Sequence, residues 1–325
     1  MSNTDAAPSE VTCAASAFTG VLHPREVPLG GPRAIRVRRT LPQRERSLIG
    51  AWCFADHYGP EDVRGGVGMD VPPHPHTGLQ TVSWLFEGEI EHRDSAGVHA
   101  LVRPGELNLM TAGAGVCHSE VSTPATTVLH GVQLWVALPD SDRDTSRDFT
   151  HYAPEQVAVA GAVLRVFMGE LAGSRSPVHT FTPLLGAQID LYPGARLDLD
   201  IDTTFEHGVL LDRGRIDAAG CSLDVADLAF QGAGRDVLTL ANSGDGPARA
   251  LLLGGPPFDE ELVMWWNFVG RSHDDIAAYR REWQDHAARF GAVDGYRGTV
   301  QRLPAPPLPR ATLRPRPNPK ESSHD

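Results

Sequence analysis

The stretch His74-Pro75-His76-Thr77-Gly78-Leu79-Gln80-Thr81-Val82-Ser83-Trp84-Leu85-Phe86 decides how the chain is read. Two imidazoles stand two residues apart, and a run rich in strand-forming residues follows. On a strand, alternate side chains share a face, so both rings can enter one cavity. His118-Ser119-Glu120 repeats that spacing 42 residues beyond His76. If the two strands are neighbours, three imidazoles and one carboxylate converge. That donor set suits one divalent transition ion. It contains no cysteine, which favours a site with open positions over a closed structural zinc site.

Parity extends the pattern. Counting back from Phe86, the even positions Trp84, Val82, Gln80, Gly78, His76 and His74 are expected to face inward, as an apolar floor leading to a polar end. Cys117 falls between His118 and Val116 and is expected to point away from the metal. Gln80 and Gln133 are candidates for polar lining. His92, near a predicted hairpin, is expected to be exposed. His130 is read as a packing or hydrogen-bonding residue. Asp56-His57 is read as loop structure with no nucleophile beside it. No GxSxG elbow, Walker A loop or HExxH helix is present.

Around this core, short β-like runs alternate with Gly, Pro and Asp punctuation. Examples are 34–39, 79–86, 90–93, 107–110 and 127–138, with turns at Asp94-Ser95-Ala96-Gly97 and Arg103-Pro104-Gly105. Residues 178–255 repeat the style, so the fold class is all-β, with two β-domains of similar design. The predicted layout is a disordered N-terminus over 1–18, a metal-binding domain over 19–170 and a second β-domain over 171–301. A closing helix over about 273–290 is capped by Ser272 and buries Ile276, Tyr279, Trp283, Ala287 and Phe290. Residues 302–325, with seven prolines, are expected to be disordered or extended, and Pro304-Ala305-Pro306-Pro307 formally offers a PxxP ligand.

Composition narrows the partners. The 325 residues carry 29 basic and 41 acidic side chains, a formal charge of −12. The 302–325 tail is net basic, so the body is more acidic still and repels phosphate backbones. Direct nucleic-acid binding is therefore not expected. No apolar run is long enough to span a membrane, and the first residues do not read as a secretory signal, which points to the cytoplasm. Cys13, Cys53, Cys117 and Cys221 show no CxxC spacing and are read as free thiols.

The chain resembles the pirin family of the cupin superfamily. The likeness is carried by His74-Pro75-His76-Thr77-Gly78-Leu79-Gln80-Thr81-Val82, by Glu87-Gly88-Glu89-Ile90-Glu91-His92-Arg93-Asp94-Ser95, and by Pro104-Gly105. It continues through Met110-Thr111-Ala112-Gly113-Ala114-Gly115-Val116-Cys117-His118-Ser119-Glu120 and Leu129-His130-Gly131-Val132-Gln133-Leu134-Trp135-Val136, and ends at Gly254-Gly255-Pro256-Pro257. The resemblance covers about 20–290 and is most specific in the first half. It implies a bicupin, two antiparallel barrels with one metal in the first. The family's ligands map onto His74, His76, His118 and Glu120. Iron, as Fe(II), is the usual ion, with Ni, Cu, Mn, Co or Zn as alternatives. Gln80 stands where many cupins place a glutamate ligand, which leaves Glu120 as the only carboxylate. The second barrel offers His207 alone and is expected to be metal-free.

Two functions follow from the resemblance. The first is a dioxygenase of the quercetin 2,3-dioxygenase type, acting with O2 on a flavonol or another small chelating aromatic substrate. Glu120 is then the candidate catalytic base. The alternative is an iron-dependent, redox-sensitive regulator acting through protein partners. Catalysis requires a reachable cavity at His74 and His118, whereas regulation requires only a surface that responds to the metal.

Overall fold

The computed structural model describes residues 2–3, 19–30, 35–65 and 68–316. Both halves are antiparallel β-structure. In the first, an eight-stranded sheet includes Arg36–Leu41, Trp52–Asp62, Val128–Ala137, Leu79–Glu87 and Leu107–Thr111, in that spatial order. Facing it, a four-stranded sheet is ordered Asp70–His76, Val116–Ser122, Ile90–Asp94, His99–Val102. The second half repeats the plan with sheets of seven and four strands. Leu164, Ile189, Val209, Leu211 and Leu252 fill its interior. The strands lie within a few residues of their predicted positions, because turn residues bound each run in the sequence.

The two large sheets pack on each other. Val82, Trp84 and Leu134 of the first share one cluster with Phe167, Leu210, Leu251 and Leu253 of the second. Trp84 packs at a tilt against Phe167 with ring centroids 4.6 Å apart, and its indole N–H donates to Gln188 Oε1 at 2.9 Å. The strand 79–87 is therefore buried on both faces, and its even residues face the second half, not the interior of the first. This corrects the expected parity. A strand covered on both sides keeps no polar–apolar alternation to mark its inner face.

Both ends of the chain cross over. Thr19–Leu22 pairs with Leu228–Gln231 and joins the second half's sheet. Val157–Val159 and Ala162–Met168 also belong there, ahead of the expected boundary at 170. Conversely, residues 262–316 pack on the first half. Phe268 bridges Thr77, and the Val269 N–H donates to the Thr77 carbonyl. Gly78, at φ +69°, allows this approach, since a Cβ there would meet the Val269 carbonyl oxygen at 2.3 Å. Most of the expected N-terminal disorder falls outside the described residues. Ser2–Asn3 pairs with Leu29 and Gly30.

The helix spans His273–Gln284, shorter than expected. Ser272 and Asp275 form a full capping box. The helix stops because Asp285 leaves the helical conformation and His286 turns to φ +57°. Ile276, Tyr279, Trp283 and Phe290 are buried with Cys117, Trp265, Trp266 and Phe268.

The proline-rich tail is not free as far as Arg316. Leu303 N–H donates to the Pro73 carbonyl at 2.9 Å, and the Trp283 indole N–H donates to the Leu303 carbonyl at 2.8 Å. Ala305 is buried, Pro306 accepts from Arg280 Nε, and Arg316 bridges Leu262. Within the PxxP segment Ala305 and Pro306 face the helix, while Pro304 and Pro307 remain exposed. The tail holds because Pro-rich backbone pays little entropy on ordering and Leu303, Leu308 and Leu313 supply apolar anchors. Deleting residues 302–325 is expected to cost about 2–3 kcal/mol, roughly one large side chain's burial. Chemical denaturation of the metal-free proteins checks this.

Candidate metal centre

The strand Asp70–His76 carries Pro72, Pro73 and Pro75, which donate no backbone hydrogen bond. It is tolerated because it lies at the edge of its sheet. Its open side is met at Pro73 by the tail. In register, His74 stands directly opposite His118, and His76 opposite Val116. The rings of His74 and His118 are 4.3 Å apart, His74 and His76 5.1 Å, and His76 and His118 5.0 Å. Each offers a ligand nitrogen within 4.8 Å of the other two.

Nε2 of all three is buried without a hydrogen-bond partner. The Pro72 carbonyl can only accept, so His74 carries its proton on Nδ1, at 2.8 Å, and leaves Nε2 as a bare lone pair. Burial holds the His74 imidazole down at about 3, and burial with neighbouring His74 holds His76 and His118 well below the ordinary histidine value. Three converging neutral imidazoles with unsatisfied nitrogens fit a divalent ion and little else.

Glu120 lies apart from this triad. A β-bulge between His118 and Glu120 shifts the register, and the carboxylate groups with His118 and His92 instead. Ser83 Oγ lies 3.2 Å from Glu120 Oε1 and 3.0 Å from Gln133 Oε1. The inward face of 79–87 is therefore the odd one, Thr81 and Ser83. Their cross-strand neighbours Trp135 and Gln133 continue it, and Trp135 stands edge-on to His76 at 5.1 Å. Behind Gln133, Asp56 accepts both Arg39 Nε and Nη2, at 2.7 and 2.8 Å, in a fully buried ion pair. Gln80 instead donates to Thr111 Oγ1 at 2.9 Å on the opposite face. Only Gln133 of the two glutamines lines the site.

Two further expectations change. His92 is 3% exposed, not solvent-facing, because its strand Ile90–Asp94 pairs with 116–122 and places it opposite Glu120. Asp56-His57 lies in the strand Trp52–Asp62, not a loop, and its two side chains face opposite ways. Cys117 does point away, into the helix cluster, where burial pushes its thiol up to about 12. It carries no reactive thiolate.

A second histidine cluster lies between the halves. Asp212 Oδ1 sits 2.8 Å from His57 Nε2 and 2.7 Å from His130 Nε2, and Arg249 Nε donates to Oδ2 at 2.7 Å. Arg38 Nη2 lies 2.8 Å from His57 Nδ1. An Arg donor on Nδ1 requires the His57 proton on Nε2, directed at Asp212. Two guanidinium groups around the cluster also disfavour a cation there. His130 thus pairs with Asp212 in an ion network between the halves and packs edge-on against His57 and Phe86.

Because buried imidazoles must charge on unfolding, acid destabilises the metal-free protein. His57 and His207 are also lowered by burial, His207 to about 4. The unfolded chain then binds more protons below about pH 6.5, so stability is lost as pH falls from there toward 4. Thermal unfolding at pH 7.5 and pH 5 checks this; a higher midpoint at pH 5 contradicts it.

Among the described residues, no helix is long and apolar enough to cross a membrane. A Pseudomonas aeruginosa protein named "Putative quercetin 2,3-dioxygenase" is 44% identical over 88% of this chain and 89% of its own. A Caulobacter vibrioides "Pirin-like protein" is 35% identical over 82% of this chain and 94% of its own. The crystal structure of quercetin 2,3-dioxygenase from Acinetobacter baumannii superposes with a TM-score of 0.86 at 36% identity, covering 93% of this chain and 98% of that one. The pirin profile matches residues 34–136 and the pirin C-terminal cupin profile residues 186–291. With its paired β-domains, its closing helix and its buried histidine triad, the chain belongs to the pirin family of cupin proteins.

Proposed function

We propose that the chain is a metal-dependent dioxygenase of the quercetin 2,3-dioxygenase type, with His74, His76, His118 and Glu120 serving one divalent ion, iron(II). The observation that carries this is the set of three orphaned imidazole nitrogens beside a buried carboxylate. Likeness to the Acinetobacter baumannii quercetin 2,3-dioxygenase over nearly the whole chain supports it. When bound, the ion supplies Lewis acidity toward a chelating hydroxyl–carbonyl pair and one-electron chemistry toward O2. The substrate is a small flavonol-like aromatic.

Glu120 is the candidate base. Its carboxylate stands outside the imidazole triad but next to it, where it can accept the proton of a chelating hydroxyl. Ser83 holds it from the opposite wall. The buried Trp135 ring, stacked on Phe54, stands edge-on to His76 and bounds the site on that side. The described cysteines are free, which agrees with a reducing, cytoplasmic setting.

The test is anaerobic purification with metal analysis, followed by O2 uptake with quercetin. About one iron per chain, with uptake that stops on metal removal, is the expected result. Turnover that survives metal removal rejects the proposal. Metal without uptake moves the weight to a metal-responsive regulatory protein.

A further inference from the structure

His92 and Asp94 lie on the strand next to the one that carries His118 and Glu120. In register, Asp94 is opposite His118 and His92 opposite Glu120, so the four side chains share one buried face. Asp94 is fixed by the hairpin that follows it. Its Oδ1 accepts the backbone N–H groups of Ala96, at 2.8 Å, and Val98, at 3.1 Å. Its Oδ2 faces His92 Nε2 at 3.2 Å. His92 Nδ1 in turn faces His118 Nδ1 at 3.5 Å, and the Phe149 ring packs on His92 at 4.9 Å.

The direction of protons along this line is determined by chemistry. The carboxylate can only accept, so the His92 proton is on Nε2. His92 Nδ1 is then an acceptor, and the partner facing it, His118 Nδ1, must be a donor. That leaves His118 Nε2 as a lone pair, the atom found buried without a partner in the triad. From these contacts we infer that His92, locked by Asp94, is a positioning residue that sets the tautomer and ring orientation of His118 for the metal. The inference rests on the metal-site reading above. Outer partners of this kind act through ligand orientation, and their loss costs about 10- to 100-fold in metal affinity.

Asp94→Asn tests it without changing shape. The two backbone N–H groups keep the amide oxygen on their side, so the NH2 faces His92 Nε2. His92 must then accept there and donate from Nδ1, which moves the His118 proton to Nε2. A second variant, His92→Phe, keeps the packing on Phe149 and removes the acceptor. Two measurements are made on the full-length protein. Nitrogen-15 NMR of the metal-free proteins at pH 7.5, with His118 assigned by His118→Gln, reads the tautomer. Cobalt(II) titration against a chelator reads affinity, and the cobalt absorption bands read coordination geometry.

The expected result is an Nδ1-protonated His118 in the wild type and an Nε2-protonated one in Asp94→Asn. Both variants should bind cobalt about 10- to 100-fold more weakly, at unchanged stoichiometry and with altered bands. An unchanged His118 tautomer in Asp94→Asn, or wild-type cobalt affinity in both variants, overturns the inference. If the wild type takes up no cobalt, the metal reading fails, while the NMR still decides whether the line of protons exists.

Discussion

His76→Ala is expected to empty the metal centre, with bound metal falling from about one per chain to near zero and O2 uptake falling by at least about 100-fold, beyond what outer-partner losses cost. The reason is geometric. Only three imidazoles converge within 4.8 Å of one another at this site, and Glu120 sits with His92 and His118 instead of completing the triad. Removing one nitrogen leaves two imidazoles and the offset Glu120 carboxylate, a set too incomplete to hold a divalent ion against buffer. The fold should survive, because alanine removes one ring from a wall that the neighbouring strands hold in place and leaves a small cavity against Trp135. Metal analysis by mass spectrometry with circular dichroism separates the two effects. Cys117→Ala is the matched control, since its side chain lies on the far face of the same strand pair. It should keep its metal. A His76→Ala protein that retains stoichiometric metal would refute the triad.

Asp212→Ala is expected to produce the largest loss of stability of any single change discussed, about 3–5 kcal/mol. The carboxylate is 2% exposed and is the shared partner of His57, His130 and Arg249. Its removal strands a guanidinium and two imidazoles at the boundary between the halves. Arg249 also lies over the Phe86 ring, so the loss spreads into apolar packing. Urea unfolding gives the number, and a change below about 1 kcal/mol would contradict it, being no more than an exposed pair contributes. The pH dependence has a fixed sign. The neighbouring His130, His57 and Arg249 hold the Asp212 carboxyl well below the ordinary range against the opposing effect of burial. Its contribution is therefore present above about pH 4 and is lost as pH falls through the folded value. The wild type should lose this increment in strong acid, and the variant should show none of it.

The triad was legible because its information is local. His74, Pro75 and His76 are adjacent in sequence, and strand geometry alone places both rings together. His118 followed from the repeated spacing and from the turn residues that separate the runs. The cluster around Asp212 was not legible. His57 and Asp212 are 155 residues apart, on strands of different halves, and no local spacing encodes their meeting. The burial of His92 is hidden from the sequence for a related reason. Its run Ile90-Glu91-His92-Arg93-Asp94 alternates polar residues, and only the pairing with 116–122 shows that the even ones turn inward. The parity of 79–87 failed because Trp84 and Val82, the most apolar residues, face a second sheet, while the true inner face holds Thr81 and Ser83. The tail misled through composition. Prolines signal an unpacked chain, yet those between Leu303 and Arg316 only keep extended a segment already anchored by leucines and backbone hydrogen bonds.

The crossing of the two ends bears on the order of synthesis. The edge strand that carries His74 and His76 is made well before the residues that meet its open side at Pro73 and those that seal the far face of Cys117. A nascent chain that has just completed its histidines still presents their strand with one side bare. The packing that completes the histidine strand is thus written far downstream of the histidines themselves, and a substitution at Trp283 or Leu303 acts on a centre encoded far upstream.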